Sequence, residues 1–352
     1  MMTIRAVNFH RQTARLFILA AAVIGLAAPA AWAQSPTEIQ KAVDAAHAKY
    51  RGLKEGKNAD YIPALAQVDP NLFGVAVVTA DGKIFSAGDM KTEVSIQSIS
   101  KVFTMAQVIQ EQGPDAIEKS IGVDATGMRF NSIVAIEFVR AAVGTGAAEM
   151  NPLVNPGAIS ATGLVKGESA DEVWKKIITV HSDFAGRPLK VLQDVYKSES
   201  DSNQRNQAIG ALMYAYGYIK ANPQQAVDLY TRQCSIGVNA ADLAMMGATL
   251  AFGGRNPVSG KQVIEAKNVP KVLAVMATAG LYDDSGKWLY RSGLPAKSGV
   301  GGGLVAVSPG KFGIAVVSPP LDDAGNSVRA QRAIIDISNA LNGNPYASNP
   351  QP

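Results

Sequence analysis

Ser98 and Lys101 are the residues of this chain whose types and spacing could carry out nucleophilic chemistry. They stand three residues apart at the start of an apolar run with helical spacing, at 102–109. Side chains three apart on a helix share one face, with their Cβ atoms about 5–6 Å apart, so the lysine amine can reach the serine hydroxyl. A lysine desolvated by apolar neighbours can take the serine proton, as in hydrolases with a Ser-x-x-Lys motif.

Taken alone, this spacing has a second interpretation. Ser98 could be a helix N-cap and Lys101 an exposed surface lysine. The same spacing recurs at Ser308 and Lys311, where the intervening Pro-Gly predicts a turn. The pair therefore needs support from elsewhere in the chain.

A second motif, Lys297-Ser298-Gly299, precedes the glycine run 301–303 in the last β-type region. Lys-[Ser/Thr]-Gly is the third element of the penicillin-recognising pattern. There a strand edge offers backbone N–H groups to a substrate carbonyl, and small residues let the substrate approach the main chain. The alternative is a glycine-rich turn, and a P-loop is excluded because the lysine precedes the glycines. Together the two motifs predict a serine acyl-enzyme hydrolase.

The elements that must position these motifs form two β regions around a helical middle. Asp81-Gly82 between the apolar runs 73–78 and 84–87 predicts a hairpin. We expect both β regions to pair in one antiparallel sheet flanked by helices, which is an α+β fold with a helical subdomain alongside. Sheet subdomain segments are predicted at about 58–97 and 281–343, and the helical subdomain at about 102–280. Later strands are predicted at 288–290, 294–299, 304–307 and 314–317, and helices at 35–48, 130–142, 157–166, 170–182, 204–219, 223–233, 240–252, 262–279 and 327–341.

The first 33 residues predict export. A start with three arginines and no acid leads into an apolar run from Leu16 to about Ala30, and Ala31-Trp32-Ala33 is a small-x-small cleavage site. The alternative is a membrane anchor, which the short run and Pro29 disfavour because a span needs about 20 apolar residues. We therefore expect a secretory signal peptide at 1–33, no membrane attachment after cleavage, and a mature chain, 34–352, that is periplasmic or secreted.

Composition excludes several function classes. Removing the three arginines of the signal leaves a net charge of about +1 (30 basic against 29 acidic residues), so nothing in the charge favours nucleic acid. Cys234 is the only cysteine, which excludes an intramolecular disulfide. His47 and His181 have no metal-ligand spacing, so we expect neither a metal nor an organic cofactor, and the base of a hydrolase here would be lysine or tyrosine.

Several segments taken together closely resemble the serine-dependent glutaminases. The resemblance covers roughly residues 36–343 in matching order, and it implies a β-lactamase-like fold that hydrolyses L-glutamine to L-glutamate and ammonia as a homodimer or homotetramer. The matching segments are ADYIPAL (59–65), SIQSISK (95–101), FNS (130–132), NPLVNPGA (151–158), MATAGLY (276–282), LPAKSGVGGG (294–303) and LDDAGNS (321–327).

The resemblance implies a catalytic role for four side chains. Ser98 would be the nucleophile and Lys101 its general base. Tyr61 and Tyr282 would border the site and assist proton transfer or close it. The backbone N–H of Val300, with that of Ser98, would form the oxyanion hole.

The resemblance also implies that Asn155, Glu199, Asn206 and Tyr230 hold the glutamine, together with Ser98, Tyr282 and Val300. The chemistry fits, because the α-ammonium of glutamine requires a carboxylate such as Glu199 and its polar groups require amide donors and acceptors.

Two other function classes stay open at the level of sequence. A β-lactamase or another peptidoglycan-directed acyl-serine hydrolase would suit an exported protein. A non-catalytic amino-acid-binding protein on the same scaffold is the third hypothesis, although the presence of both Ser98 and Lys101 disfavours it. The sequence does not fix glutamine over asparagine or other amides.

Overall fold

The structure is a computed structural model that describes residues 34–137, 150–220 and 222–347. The predicted signal peptide lies outside these residues, as do residues 138–142 of the helix predicted at 130–142. Within the described part of that prediction, residues 133–137 are helical and residues 130–132 are not.

A five-stranded antiparallel sheet joins the two ends of the described chain. Its strand order is β2-β1-β7-β6-β5, and β1 pairs with β7 so that Val75 lies opposite Val316. The prediction that both β regions form one sheet is therefore confirmed, as is the hairpin turn at Asp81-Gly82. In chain order the strands are β1 (Gly74–Thr79), β2 (Ile84–Gly88), β3 (Val94–Ser95), β4 (Gly237–Val238), β5 (Ala296–Ser298), β6 (Gly303–Ser308) and β7 (Phe312–Val317); β3 and β4 form a separate short pair.

Helices cover this sheet and build a second layer beside it. The α-helices with complete bounds are α1 (Pro36–Tyr50), α2 (Pro63–Ala66), α3 (Ser100–Gln112), α4 (Asp115–Ser120), α5 (Asn155–Leu164), α6 (Ala170–Ala185), α7 (Gln193–Asp201), α8 (Gln204–Ala215), α9 (Pro223–Cys234), α10 (Ala240–Ala251), α11 (Val269–Ala279), α12 (Ser285–Ser292) and α13 (Val328–Ala340). None of the helices in the described ranges is long and apolar enough to cross a bilayer.

Every residue of β1, β6 and β7 is buried, so both faces of the central strands are covered. The terminal helices α1 and α13 pack on each other and on the sheet, as predicted, while α10 packs against β1, β6 and β7. Helix α10 lies within the range predicted for the helical subdomain, yet it belongs to the sheet's covering layer. A helix that is apolar nearly all round, as α10 is, needs partners on every side.

The prediction of a strand at 288–290 is wrong, because these residues lie in α12. A run of three apolar residues does not separate strand from helix. Trp288 faces the core and donates its Nε1–H to the carbonyl of Leu294 at 2.7 Å, whereas Tyr290 points to solvent. Gly293, with a φ of +67°, ends the helix in the left-handed conformation that suits a helix C-terminus.

Helix α3 is the element on which the site depends. Its first ten residues, Ser100–Ile109, are all buried, and α4, α5 and α6 pack around it. A 3₁₀ turn, Gln97–Ile99, leads into it and carries Ser98. The first turn of α3 therefore holds Lys101 deep inside the protein, and the interpretation of Lys101 as an exposed surface lysine is wrong.

Candidate active site

Ser98 and Lys101 are in direct contact. Lys101 Nζ lies 2.8 Å from Ser98 Oγ, and the lysine is 1 % exposed. Burial away from water lowers the pKa of Lys101 to about 8, and the neighbouring Cys234 and Glu199 offset only part of this effect. An amine with this pKa exchanges its proton near neutral pH, as a general base must.

Asn155 links this pair to the rest of the predicted site. Its Oδ1 accepts hydrogen bonds from Lys101 Nζ at 2.7 Å and from the Tyr230 hydroxyl at 3.2 Å. Its Nδ2 donates to Asn206 Oδ1 at 2.9 Å. Asn155 opens α5, and the proline that follows it sits in the first helical turn, where a missing N–H breaks no intrahelical bond.

Glu199 supplies a buried carboxylate at the same site. It lies on α7, a helix that the sequence reasoning did not predict, and it is 6 % exposed. Gln97 Nε2 donates to its Oε2 at 3.0 Å. Burial raises the pKa of Glu199 to about 7, against the opposing effects of Gln97 and Lys101. A carboxylate so poorly solvated is suited to receive a cationic group of a ligand.

Tyr282 approaches the serine from the other side. Its hydroxyl donates to the backbone carbonyl of Ser298 at 3.3 Å. Burial raises the pKa of Tyr282 to about 12, against an opposing effect of the nearby Ser98 side chain. The residue has a φ of +57°, a left-handed conformation that costs a non-glycine residue roughly 1–3 kcal/mol. The rings of Tyr282 and Phe130 lie 4.9 Å apart, so packing holds the tyrosine in this strained position.

The late Lys-Ser-Gly motif comes close to the serine through its backbone. A Cβ on Gly299 would lie 2.7 Å from the carbonyl oxygen of Ile96, and one on Gly301 would lie 2.4 Å from that of Ser95. Only glycine permits two backbones to approach this closely. The segment that carries Val300 is thereby packed against the segment that ends in Ser98.

Lys297 is not among the residues that line the cavity at this site, although its motif suggested a place there. It is fully buried, and its Nζ donates to the carbonyl oxygens of Gly280 and Ser298, both at 2.8 Å. The ammonium also lies 3.9 Å from the centre of the Tyr282 ring. Lys297 thus connects the end of α11 to β5 and supports Tyr282 from behind.

These side chains line one cavity of about 290 Å³, which we call the substrate cavity. Ser98, Asn155, Glu199, Asn206 and Tyr230 border it. Tyr61 stands at its mouth with about half of its surface exposed (53 %). Val300 borders it as well. Lys101 reaches it through its hydrogen bond to Ser98, and the Tyr282 hydroxyl lies near the same serine.

Sequence reasoning missed Gln97 as a functional residue. It has a φ of +50° and is 3 % exposed, and its amide orients Glu199. The feature of the sequence that could have identified Gln97 is its position directly before the candidate nucleophile. Phe130 and Asn131, which also line the cavity, were noted only as part of a matching segment.

No metal site emerges from the residues that the structure describes: His, Cys, Asp and Glu do not gather in groups of three or more that could hold an ion. His181 is buried behind α3, with its two ring nitrogens near the carbonyls of Ile177 and Ser100. Burial lowers its pKa to about 4, so it is a neutral core histidine at physiological pH.

Comparisons with known proteins agree on one family. The family model described as Glutaminase matches residues 56–346. A glutaminase of Mycobacterium ulcerans is 52 % identical over 307 residues, which is 87 % of this chain and 94 % of the relative. A glutaminase of Colwellia psychrerythraea is 50 % identical over 316 residues, covering 89 % of this chain and all of the relative.

Solved structures give the same result. A probable glutaminase superposes with a TM-score of 0.86 at 44 % identity, covering 90 % of this chain and 100 % of its own. The protein named Mglu, solved in a glutamate form, superposes with a TM-score of 0.82 at 32 % identity, covering 90 % of this chain and 71 % of its own. The fold is therefore the β-lactamase-like α+β fold that the sequence predicted, and the chain is an enzyme that belongs to the glutaminase family.

Proposed function

We propose that this protein hydrolyses L-glutamine to L-glutamate and ammonia through an acyl-enzyme on Ser98. The observation that carries the proposal is the buried contact of 2.8 Å between Lys101 Nζ and Ser98 Oγ. In its neutral form, Lys101 accepts the serine proton as Ser98 Oγ attacks the side-chain amide carbon of glutamine.

The remaining steps of the reaction use groups at the substrate cavity. The backbone N–H groups of Ser98 and Val300 stabilise the tetrahedral oxyanion. The proton held on Lys101 passes to the amide nitrogen, the C–N bond breaks, and ammonia leaves a glutamyl ester on Ser98. Water then attacks the ester, with Lys101 again as base, and releases glutamate. Tyr282, whose hydroxyl lies near Ser98, is placed to assist these proton transfers.

Glutamine is held at its amino-acid end by groups away from the serine. The carboxylate of Glu199 receives the α-ammonium. The amides of Asn155 and Asn206 and the hydroxyl of Tyr230 supply the donors and acceptors that the remaining polar groups of the substrate need. In the structure these three side chains already form one hydrogen-bonded chain. The relative solved in a glutamate form supports an acidic amino acid as the product.

Replacing the nucleophile tests the proposal. Ser98→Ala should lower kcat for ammonia release from glutamine by roughly 10⁴-fold or more, because the covalent step has no substitute, while the melting temperature stays near that of the wild type. Ser100→Ala is a control, since Ser100 is buried two residues further along and its hydroxyl donates to the carbonyl of Gln97. Full activity of Ser98→Ala would refute the serine mechanism. Faster turnover of a chromogenic β-lactam than of glutamine would favour the β-lactamase alternative.

Two further expectations belong to this proposal. Export rests on the basic and apolar pattern of residues 1–33, and fractionating cells that express the full chain would test it by locating the activity and the new N-terminus. A homodimer or homotetramer rests on the resemblance to the family, and light scattering of the mature chain would test it.

A further inference from the structure

A second cavity adjoins the substrate cavity on the side of Tyr282. This side chamber has a volume of about 350 Å³ and is bordered by the segments 57–61, 129–131 and 321–325 together with Val300. Tyr61, Phe130, Asn131 and Val300 border both cavities, whereas Glu199 and Asn206 border only the first. In the proposed reaction, Glu199 and Asn206 hold the amino-acid end of the substrate. The side chamber therefore lies on the other side of the reacting carbon.

The turn 322–325 brings the side chamber up to the catalytic residues. A Cβ on Gly325 would lie 3.8 Å from Phe130 Cε1, Tyr282 Cε2 and Val300 Cγ1. One edge of the Tyr282 ring is therefore close to the turn that borders this chamber. Val300 and Tyr61 border both cavities, so the chamber adjoins the part of the substrate cavity that these two residues line.

The chamber is preformed. Asp322 Oδ1 accepts the backbone N–H groups of Ala324 and Asn326 at 3.1 and 2.9 Å, and Asp322 Oδ2 accepts from Gln331 Nε2 at 2.8 Å. A turn held by three hydrogen bonds to one carboxylate does not need to be ordered by a ligand, which reduces the entropic cost of binding there.

The chemistry of the chamber favours an uncharged ligand group. Val300 and Leu321 are buried in one small apolar cluster with Ala59, Ile62 and Leu65, and the ring of Phe130 adds to this floor. The charged side chains of Lys57, Asp60, Arg129 and Asp323 are exposed at the rim. Lys57 pairs with Asp60 at 3.0 Å, and Arg129 Nη2 lies 3.5 Å from the backbone carbonyl oxygen of Asp323.

We propose that the side chamber is a leaving-group site for N-substituted glutamines, whose amide nitrogen carries an uncharged aliphatic or aromatic group. This inference rests on the proposed function and extends it. Ser98 Oγ forms its bond to the amide carbon, Lys101 passes the serine proton to the substituted nitrogen, and a primary amine leaves in place of ammonia. The glutamyl ester on Ser98 is the same in both reactions.

The experiment compares glutamine with γ-N-benzylglutamine, by following release of glutamate. Ala324 is half-buried in the wall of the chamber and is not part of the catalytic machinery, so Ala324→Trp fills the chamber alone. We expect kcat/KM for the benzyl amide to fall by roughly 10- to 100-fold, a change that a filled apolar pocket can produce, and kcat/KM for glutamine to stay within about twofold of the wild type.

Asp323→Trp, at the exposed rim, is the second variant in case Ala324→Trp does not fold, and Ala48→Trp on the exposed face of α1 is the matched control.

The outcomes separate this inference from the function on which it rests. Selective loss of benzyl-amide turnover in the chamber variants supports it. A wild-type enzyme that hydrolyses glutamine and leaves the benzyl amide intact would overturn it, as would equal losses for both substrates in a folded chamber variant. A wild-type enzyme that hydrolyses neither amide would instead refute the proposed function.

Discussion

The two lysine motifs of this chain bury two amines, Lys101 against Ser98 and Lys297 against the ring of Tyr282, and the hydrogen-bond partners of the two amines differ. Lys101 makes its hydrogen bonds to side-chain atoms, Ser98 Oγ and Asn155 Oδ1. Lys297 makes its hydrogen bonds to backbone carbonyls, those of Gly280 and Ser298. Burial lowers the pKa of both amines. The partners, rather than burial, decide which lysine is placed for chemistry and which supports the architecture.

Of the two lysines, the one at position 101 should give the larger effect when its amine is removed. Lys101→Met should lower kcat/KM for glutamine by roughly 10³-fold, within the range that a general base contributes. Its melting temperature should not fall much, because Asn155 Oδ1 keeps the Tyr230 hydroxyl as donor and a buried charge is removed. Lys101→Arg should be equally inactive, since a guanidinium does not give up its proton. Substantial activity in either variant would show that Lys101 is not the general base.

A smaller effect should follow the same change at position 297. Lys297→Met should lower kcat by roughly 10- to 100-fold with little change in KM, because the support behind Tyr282 is lost and small displacements of catalytic groups have costs of this size. The measurement is steady-state kinetics with glutamine at saturating and limiting concentrations. A KM effect without a kcat effect would place Lys297 in substrate binding instead.

The pH profile should distinguish the two amines further. Lys101 must be neutral to accept the serine proton, and burial lowers its pKa to about 8, so kcat/KM should rise with pH through about 8. The carboxylate of Glu199, with its pKa raised to about 7, adds a second rise at lower pH. Lys297→Met should keep the ionisation near 8 at a lower plateau. If the ionisation near pH 8 disappears in Lys297→Met, it belongs to Lys297 and not to Lys101, which would contradict the account.

The smallest expected effect concerns stability. The pKa of Glu199 is raised from 4.5 to about 7, so the folded state binds this proton more tightly than the unfolded state, and stability falls as pH rises from about 4.5 to about 7. Glu199→Gln should therefore raise the melting temperature at pH 8 and leave it nearly unchanged at pH 4, while KM for glutamine rises. Thermal unfolding at both pH values tests this, and a lower melting temperature at pH 8 would contradict it.

Local patterns predicted the sheet well, because hairpin signals and apolar strand runs are short-range features. The glycines at 299 and 301 were recognised as part of a motif. The reason that glycine is needed there is close contact with the backbone before Ser98, which is a tertiary property. Glu199 could be named from the resemblance, yet the helix that carries it was not predicted. That helix has a strongly polar sequence, and its position depends on packing against α2 and α9.

The two residues of the site with strained backbones could not be recognised from the sequence. Gln97 and Tyr282 have positive φ values, which neither residue type favours. The surrounding contacts impose these conformations, those of Glu199 on Gln97 and those of Phe130 and Lys297 on Tyr282. Strain of this kind is frequent at functional sites, and it can be read only from coordinates.

The central claim, a glutamyl ester on Ser98 formed with Lys101 as base, is tested most directly by partitioning. Glutamine and the γ-methyl ester of glutamate are each turned over in the presence of hydroxylamine, and the ratio of glutamyl hydroxamate to glutamate is measured. One shared acyl-enzyme predicts the same ratio from both substrates at every hydroxylamine concentration, and no product of either kind from Ser98→Ala. A ratio that changes with the leaving group would contradict the account.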